Sequence, residues 1–138
     1  YNADNYVVSQ KSGKVNVPEK CLDIISSIYY TRNLIRNADL ENDSIIRAIS
    51  YFGDEVFPLV LRYIGTETIE TDLGEINCLK FMPVTEVGRV FKTEDDMTIW
   101  FSNDDNIIPI RVKFELFIGS LKCDLIEYSN LKNDLNIQ

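Results

Sequence analysis

The clearest alternation of apolar and polar positions in the chain lies between residues 97 and 128. Alternation with a period of two is typical of strands that bury one face. The stretch predicts three strands, joined by a polar turn over residues 102–106 and by a second turn at residues 118–120. Short polar side chains in the first turn favour hydrogen bonds to their own backbone. We therefore expect a three-stranded meander at the centre of the fold.

One segment shows a clear helical pattern: apolar residues recur at helical spacing from Cys21 to Tyr29. Pro18 precedes it and suits a first helical turn. The pattern predicts one helix over about residues 19–36, with Arg32 and Arg36 near the negative end of its dipole. A single helix in a β-rich chain typically lies across one face of a sheet.

Weaker patterns predict further strands at about residues 5–9, 15–17, 44–52, 56–63, 67–71 and 75–82. Hairpin-length turns dominate, so we expect one mainly β (α+β) domain over residues 1–138, a curled antiparallel sheet or open barrel with the helix packed across it. Residues 56–63 are apolar on both faces, which predicts cover on both sides, and Pro58 predicts an edge position or a bulge. The polar last ten residues are expected to fray.

The amino-acid composition limits the classes of function that the protein can have. The 138 residues include 22 acids and 14 bases, a net charge of −8, which disfavours binding to nucleic acid and to anionic membrane surfaces. No apolar run approaches the ~20 residues that span a bilayer. Three cysteines are an odd number and are expected to be small buried hydrophobes. The chain begins with Tyr1, from which we expect that a leader or upstream segment has been removed.

The sequence offers no catalytic constellation. It has no histidine, which excludes Ser-His-Asp and Cys-His catalysis and the common His-rich zinc sites. Residues 103–106 could offer oxygen ligands to calcium, but the EF-hand spacing is not met, and turn chemistry explains the same residues. Carboxylate pairs, which a glycosidase needs across one cleft, cannot be placed from sequence. We predict no catalytic residue, no metal site and no cofactor.

Polar residues on the predicted helix allow two interpretations. Asp23 and Arg32 stand there with Ser26, Ser27 and Thr31 nearby. They form either a solvated face or, if that face lies inside a curled sheet, a polar patch in an apolar pocket of the kind that binds ligands.

Four segments carry a resemblance to a known family. They are DIISSIYYTR (residues 23–32), TDLGEINC (71–78), WFSNDDNIIPI (100–110) and GSLK (119–122). Together they resemble the C-terminal part of exported proteins of the family called domain of unknown function 3108. The resemblance implies an exported, periplasmic or cell-envelope protein, a sheet similar to lipoprotein-carrier folds, and strands missing upstream. It implies no activity and no catalytic residue, and fold analogy is not function.

Three functional hypotheses follow. The first is a non-enzymatic envelope module that binds a hydrophobic or lipid-like ligand, with Tyr29, Phe57, Leu61, Trp100 and Phe114 as candidate lining residues. The second is a structural or protein-interaction module of the envelope, which uses a strand edge or an acidic face. The third is a carboxylate enzyme acting on glycans.

Trp100 has an expectation of its own. Aromatic residues at these spacings are also typical of plain core, and Trp100 is expected to anchor the core instead of stacking on a ligand. Its indole N–H would then need a partner, for which a backbone carbonyl is expected.

Overall fold

The fold is described by a computed structural model that covers residues 6–10, 13–19, 21–52, 55–84, 97–116 and 118–138. Its elements in chain order are β1 (Tyr6–Ser9), β2 (Gly13–Asn16), β3 (Leu22–Asp23), α1 (Ile24–Arg36), β4 (Ile45–Phe52), β5 (Glu55–Thr71), β6 (Gly74–Pro83), β7 (Met97–Ser102), β8 (Pro109–Glu115) and β9 (Ser120–Asp124).

Seven strands form one curled, half-barrel sheet in the order β3-β4-β5-β6-β7-β8-β9, and β1 pairs with β2 in a separate hairpin. The predicted mainly β fold with one packed helix is confirmed, and so is the pairing of β7, β8 and β9 in a meander. The meander lies at one end of the sheet, however, so its expected place at the centre of the fold is wrong. The sheet is mixed, however, because β3 pairs parallel to β4. A purely antiparallel sheet was therefore the wrong expectation: residues 22–23 join the sheet edge before the chain enters the helix.

Helix α1 begins at Ile24, later than predicted, and ends at Arg36 as predicted. The start is set by Asp23, whose Oδ1 accepts a hydrogen bond from Ser26 N at 2.9 Å and whose Oδ2 accepts one from Ser26 Oγ at 2.6 Å. This N-cap satisfies amide groups that otherwise have no partner in the first turn. It lowers the pKa of Asp23, chiefly through the hydrogen bonds from Ser26.

The buried face of α1 differs from the predicted one. Ser27 and Thr31 are fully buried, while Ile25 and Tyr29 of the predicted apolar face are 61% and 50% exposed. The helix packs on β4, and Ser27 Oγ lies 3.5 Å from the carbonyl oxygen of Ile49. Small side chains let a helix backbone approach a strand more closely than large ones do.

Strand β5 replaces two predicted strands. It runs through residues 55–71, with a shift of its register against β6 between Tyr63 and Gly65. A bulge moves every later side chain to the other face, so Tyr63 belongs to one core and Ile69 to another. Pro58 pairs with Ile49 of β4, and the described pairing of β5 with β6 begins at Leu61. The prediction of an edge position at Pro58 depends on residues outside the described part of the chain and stays a prediction.

The second face of the first half of β5 is less covered than expected. Val56 and Val60 are half-buried and Ile64 is 40% exposed, so the prediction of cover on both sides is wrong for this strand. The adjacent β4 shows the same one-sided pattern, with Ile45 and Ile49 exposed.

Two cores lie on opposite faces of the sheet. The first core, on the side of α1, consists of Ile28, Ile35, Ile46, Ala48, Leu59, Leu61, Tyr63, Leu79, Phe81, Met97, Ile99, Phe101 and Ile107. The second core consists of Ile69, Ile76, Cys78, Trp100, Ile108, Ile110 and Leu135. The alternation of Trp100 with Ile99 and Phe101 between the two faces is the predicted one.

The C-terminal tail, residues 129–138, is held against the sheet, and the expectation that it frays is wrong. Leu135 is buried in the second core, Ile137 forms a bridge with Ile76, and Gln138 N donates to the carbonyl of Glu75 at 2.7 Å. Apolar residues at intervals in a polar segment thus supply enough contact to order it. In the described part of the chain, no helix combines the length and the apolar character needed to cross a membrane.

Candidate ligand-binding cleft

A cleft of about 1040 Å³ opens beside the C-terminal end of α1. The turn over residues 103–108 and the tail residues 130–133 form its other walls, and Thr66 of β5 contributes to the lining. Clefts that bind small molecules typically measure ~300–1,000 Å³. This cleft is therefore large enough for a ligand.

The apolar part of the cleft is a margin of the first core. Ile35, Tyr63, Leu79 and Ile107 line it, and each is less than a tenth exposed. Leu40 lies half-buried at the same wall. An acyl chain or another apolar group placed here would extend the hydrophobic contact that the core already makes.

Two arginines of α1 hold the turn that forms one wall. Arg32 donates to the carbonyl oxygen of Asn106 from Nε at 3.1 Å and from Nη2 at 2.7 Å. Arg36 donates from Nη2 to the carbonyl oxygen of Asp105 at 3.1 Å. Their helical spacing of four residues places both guanidinium groups on one side of α1. Both side chains line the cleft.

Asp104 organises the turn from within. Its Oδ1 accepts hydrogen bonds from Ser102 Oγ at 2.8 Å, Asn106 N at 2.9 Å and Ile107 N at 3.2 Å. Its Oδ2 accepts one from Asn136 N at 2.9 Å. The predicted turn chemistry is thus observed. Within the described residues, no group of three or more Cys, Asp or Glu residues could hold a metal ion.

Asn106 joins the helix, the turn and the tail. It is 3% exposed, its Nδ2 donates to the carbonyls of Asn133 and Asp134 at 3.1 and 3.2 Å, and its Oδ1 accepts from Asn133 N at 3.3 Å. Because its own carbonyl binds Arg32, the residue bonds to two walls of the cleft. The sequence pattern around Asn106 indicates only a turn, because the partners of this residue are far away in the chain.

The predicted lining residues do not meet at this cleft. Leu61 is fully buried in the first core and Phe114 is half-buried against it, whereas Trp100 lies in the second core and Tyr29 is 50% exposed on the helix. The side chain of Phe57 lies outside the described part of the chain. None of the other four lines the cleft, and their role toward a ligand stays a prediction.

A charged network lies away from the cleft. Arg111 binds Asp124 through two hydrogen bonds of 2.6 and 2.7 Å and donates to the carbonyl of Glu70. The hydrogen bond from Arg111 lowers the pKa of Asp124, and the hydrogen bond from Trp100 lowers that of Glu67. A glycosidase needs one acid with a raised pKa and one ionised carboxylate, and a lowered pKa fits only the second of these roles.

One comparison with known proteins matches. The model of the family described as "Protein of unknown function (DUF3108)" matches residues 2–126, and the chain belongs to this family. Comparison with curated proteins found no match, and comparison with solved structures found none either. The expected likeness to lipoprotein-carrier folds therefore stays an expectation.

Proposed function

We propose that this member of the DUF3108 family is a non-enzymatic module of the cell envelope that binds a hydrophobic or lipid-like ligand in the cleft beside α1. The proposal rests on one observation: the cleft has an apolar wall and a polar rim. Ile35, Tyr63 and Leu79 form the wall, and the turn and the tail form the rim. A small-molecule site typically combines such apolar walls with a few placed polar groups. The envelope location rests on the family resemblance.

Hydrogen bonds hold the walls of the cleft in place, which supports a binding role. One wall is a helix that is capped at its start, and another is a turn whose backbone is fixed by Asp104. Asn106 fixes the tail to the same turn. Preorganised walls reduce the ordering that a ligand must impose when it binds.

The test is native mass spectrometry of the protein after incubation with fatty acids and phospholipids. We expect a retained acyl ligand at a stoichiometry of one. The substitution Ala38→Phe adds bulk to the cleft wall and should abolish retention. Its control is Ile49→Phe, which adds similar bulk at a residue 39% exposed and outside the cleft. Absence of any bound ligand, or equal retention by both variants, would contradict the proposal.

A second candidate function is a protein-interaction module. The observation that favours it is an exposed apolar hairpin between β8 and β9, where Leu116, Ile118 and Leu121 are 57%, 88% and 51% exposed. Strand β9 also ends the sheet, and within the described residues no strand pairs with its outer edge. Exposed strand edges are templates for pairing with another chain.

Cross-linking in envelope extracts tests this candidate. It predicts one specific partner attached near residues 116–121, and loss of that partner in the double variant Ile118→Lys, Leu121→Lys. The control is Val8→Lys, at an exposed apolar residue of the separate β1–β2 hairpin. Recovery of no partner, or of the same partner from both variants, would count against it.

A further inference from the structure

Among the described residues, the charge of the cleft lining differs in sign from that of the chain. Three bases, Arg32, Arg36 and Lys132, line it together with two acids, Asp104 and Asp105. The chain as a whole carries −8. An anion would be repelled by most of the surface, and the cleft is a local exception.

Ion pairs with the described residues do not neutralise these positive charges. The described partners of Arg32 and Arg36 are carbonyl oxygens, which carry no net charge. Within the described residues none of the three bases forms a salt bridge. The Asp104 carboxylate instead accepts four hydrogen bonds from the turn and the tail.

The hydrogen bonds to described residues leave several N–H donors of Arg32 and Arg36 for a further acceptor. A guanidinium carries five N–H donors, of which Arg32 uses one from Nε and one from Nη2, and Arg36 uses one. Arg32 is half-buried, and a charge acts more strongly on a partner when water is partly excluded. The carboxyl end of α1 adds partial negative charge nearby, which Arg36 in the last turn offsets.

We infer that the ligand is a single-chain amphiphile with an anionic head group, such as a fatty acid. The head group binds at Arg32, Arg36 and Lys132, and the acyl chain lies against Ile35, Tyr63 and Leu79. This inference rests on the proposed function and adds the ligand class to it. Charge-assisted hydrogen bonds to a carboxylate give the head group its orientation.

The test compares cis-parinaric acid with its methyl ester, two fluorescent probes that share an acyl chain and differ in charge. We expect the wild-type protein to bind the acid about tenfold more tightly, the size of effect that one charge-assisted hydrogen bond gives. The double variant Arg36→Gln, Lys132→Gln should show a smaller preference for the acid and keep its affinity for the ester. Arg32 is left intact because it holds the turn through two hydrogen bonds, whereas Arg36 contributes one.

The control is Arg47→Gln, which removes an exposed base outside the cleft and should keep the preference. Equal binding of acid and ester by the wild-type protein would overturn the head-group inference and leave the proposed function standing. An undiminished preference in the double variant would overturn the assignment to Arg36 and Lys132. Failure of both probes to bind would overturn the proposed function, and the inference with it.

Discussion

The indole Nε1 of Trp100 donates a hydrogen bond to Oε2 of Glu67 at 2.8 Å. Nζ of Lys80 lies 3.2 Å from the same oxygen and 5.6 Å from the centroid of the indole ring. Trp100 is 7% exposed, so its expected place in a core is confirmed. The expected partner, a backbone carbonyl, was wrong. The carboxylate of Glu67 on β5 takes that place, reaching Trp100 of β7 across the intervening strand β6.

Truncation of this side chain tests the second core. We expect Trp100→Ala to lower the free energy of unfolding by ~3–5 kcal/mol, the usual range for a buried large aromatic. This is a large share of the ~5–15 kcal/mol by which a domain is stable. Trp100→Phe keeps most of the apolar contact and should cost less. Chemical denaturation measures both, and a Trp100→Ala variant that unfolds like the parent would show that the second core contributes little.

The free energy of unfolding at acidic pH depends on Glu67 and Asp124. Both have pKa values lowered in the folded state, by the hydrogen bond from Trp100 and by that from Arg111. A lowered folded pKa stabilises the fold above the unfolded pKa, and this stabilisation is lost as the pH falls through the folded value. We therefore expect the free energy of unfolding to decline below about pH 4.5, the usual pKa of a glutamate.

The variant Glu67→Gln measures how much of this decline in the free energy of unfolding comes from Glu67. Glutamine still accepts the indole hydrogen bond but does not titrate, so the decline below pH 4.5 should become shallower. Glu127→Gln removes an exposed carboxylate outside the network and serves as the control. Denaturation midpoints between pH 3 and pH 7 measure the difference. Parallel curves for Glu67→Gln and the parent would contradict the assignment.

The three thiols should differ in reactivity. Cys78 is fully buried, and burial raises its pKa to about 12. Cys21 is also buried and has a raised pKa. Cys123 is exposed on the edge strand β9, so the expectation of a buried cysteine is wrong at this position. The thiolate is the reactive form, so a thiol reagent should label one cysteine in the native protein and three after denaturation. Cys123→Ser should remove the native label, and rapid labelling of Cys78 would contradict its place in the second core.

A glycine tests how the tail packs. Gly74 has φ of +121°, and a Cβ atom there would lie 2.8 Å from Cγ2 of Ile137. We expect Gly74→Ala to cost ~1–3 kcal/mol from backbone strain and more from the clash. Adding Ile137→Ala should recover the free energy lost to the clash, but not the free energy lost to backbone strain. Gly13→Ala, with positive φ but no atom within 4 Å, is the strain-only control. Additive effects of the two substitutions would show that Ile137 does not lie over this turn.

Local patterns predicted the elements that depend on local chemistry. The alternation around Trp100 and the self-bonding turn of Asp104 are properties of a few adjacent residues, and both are observed. The helix start was wrong because two local signals competed, and the Asp23 cap was favoured over Pro18. The buried helix face was wrong because hydrophobicity alone does not show where close approach requires Ser27 and Thr31.

The cleft could not be predicted, because its walls come from distant parts of the chain. Arg32 meets Asn106 across 74 residues, and Asn106 meets Asn133 across 27. The composition of the tail, polar with isolated leucines, is typical of a chain end that frays. The reason for its order is the apolar surface around Leu135, which the sequence does not show.

The most direct test of the binding site is photo-cross-linking with a fatty acid that carries a diazirine on its acyl chain, followed by mass-spectrometric mapping of the adducts. We predict adducts on the cleft-lining residues Ile35, Leu40, Tyr63, Leu79 and Leu131, and their loss when unlabelled fatty acid is in excess. Adducts confined to the exposed apolar residues Ile45, Ile49 and Ile64 of the opposite sheet face, or labelling that excess fatty acid does not displace, would contradict the account.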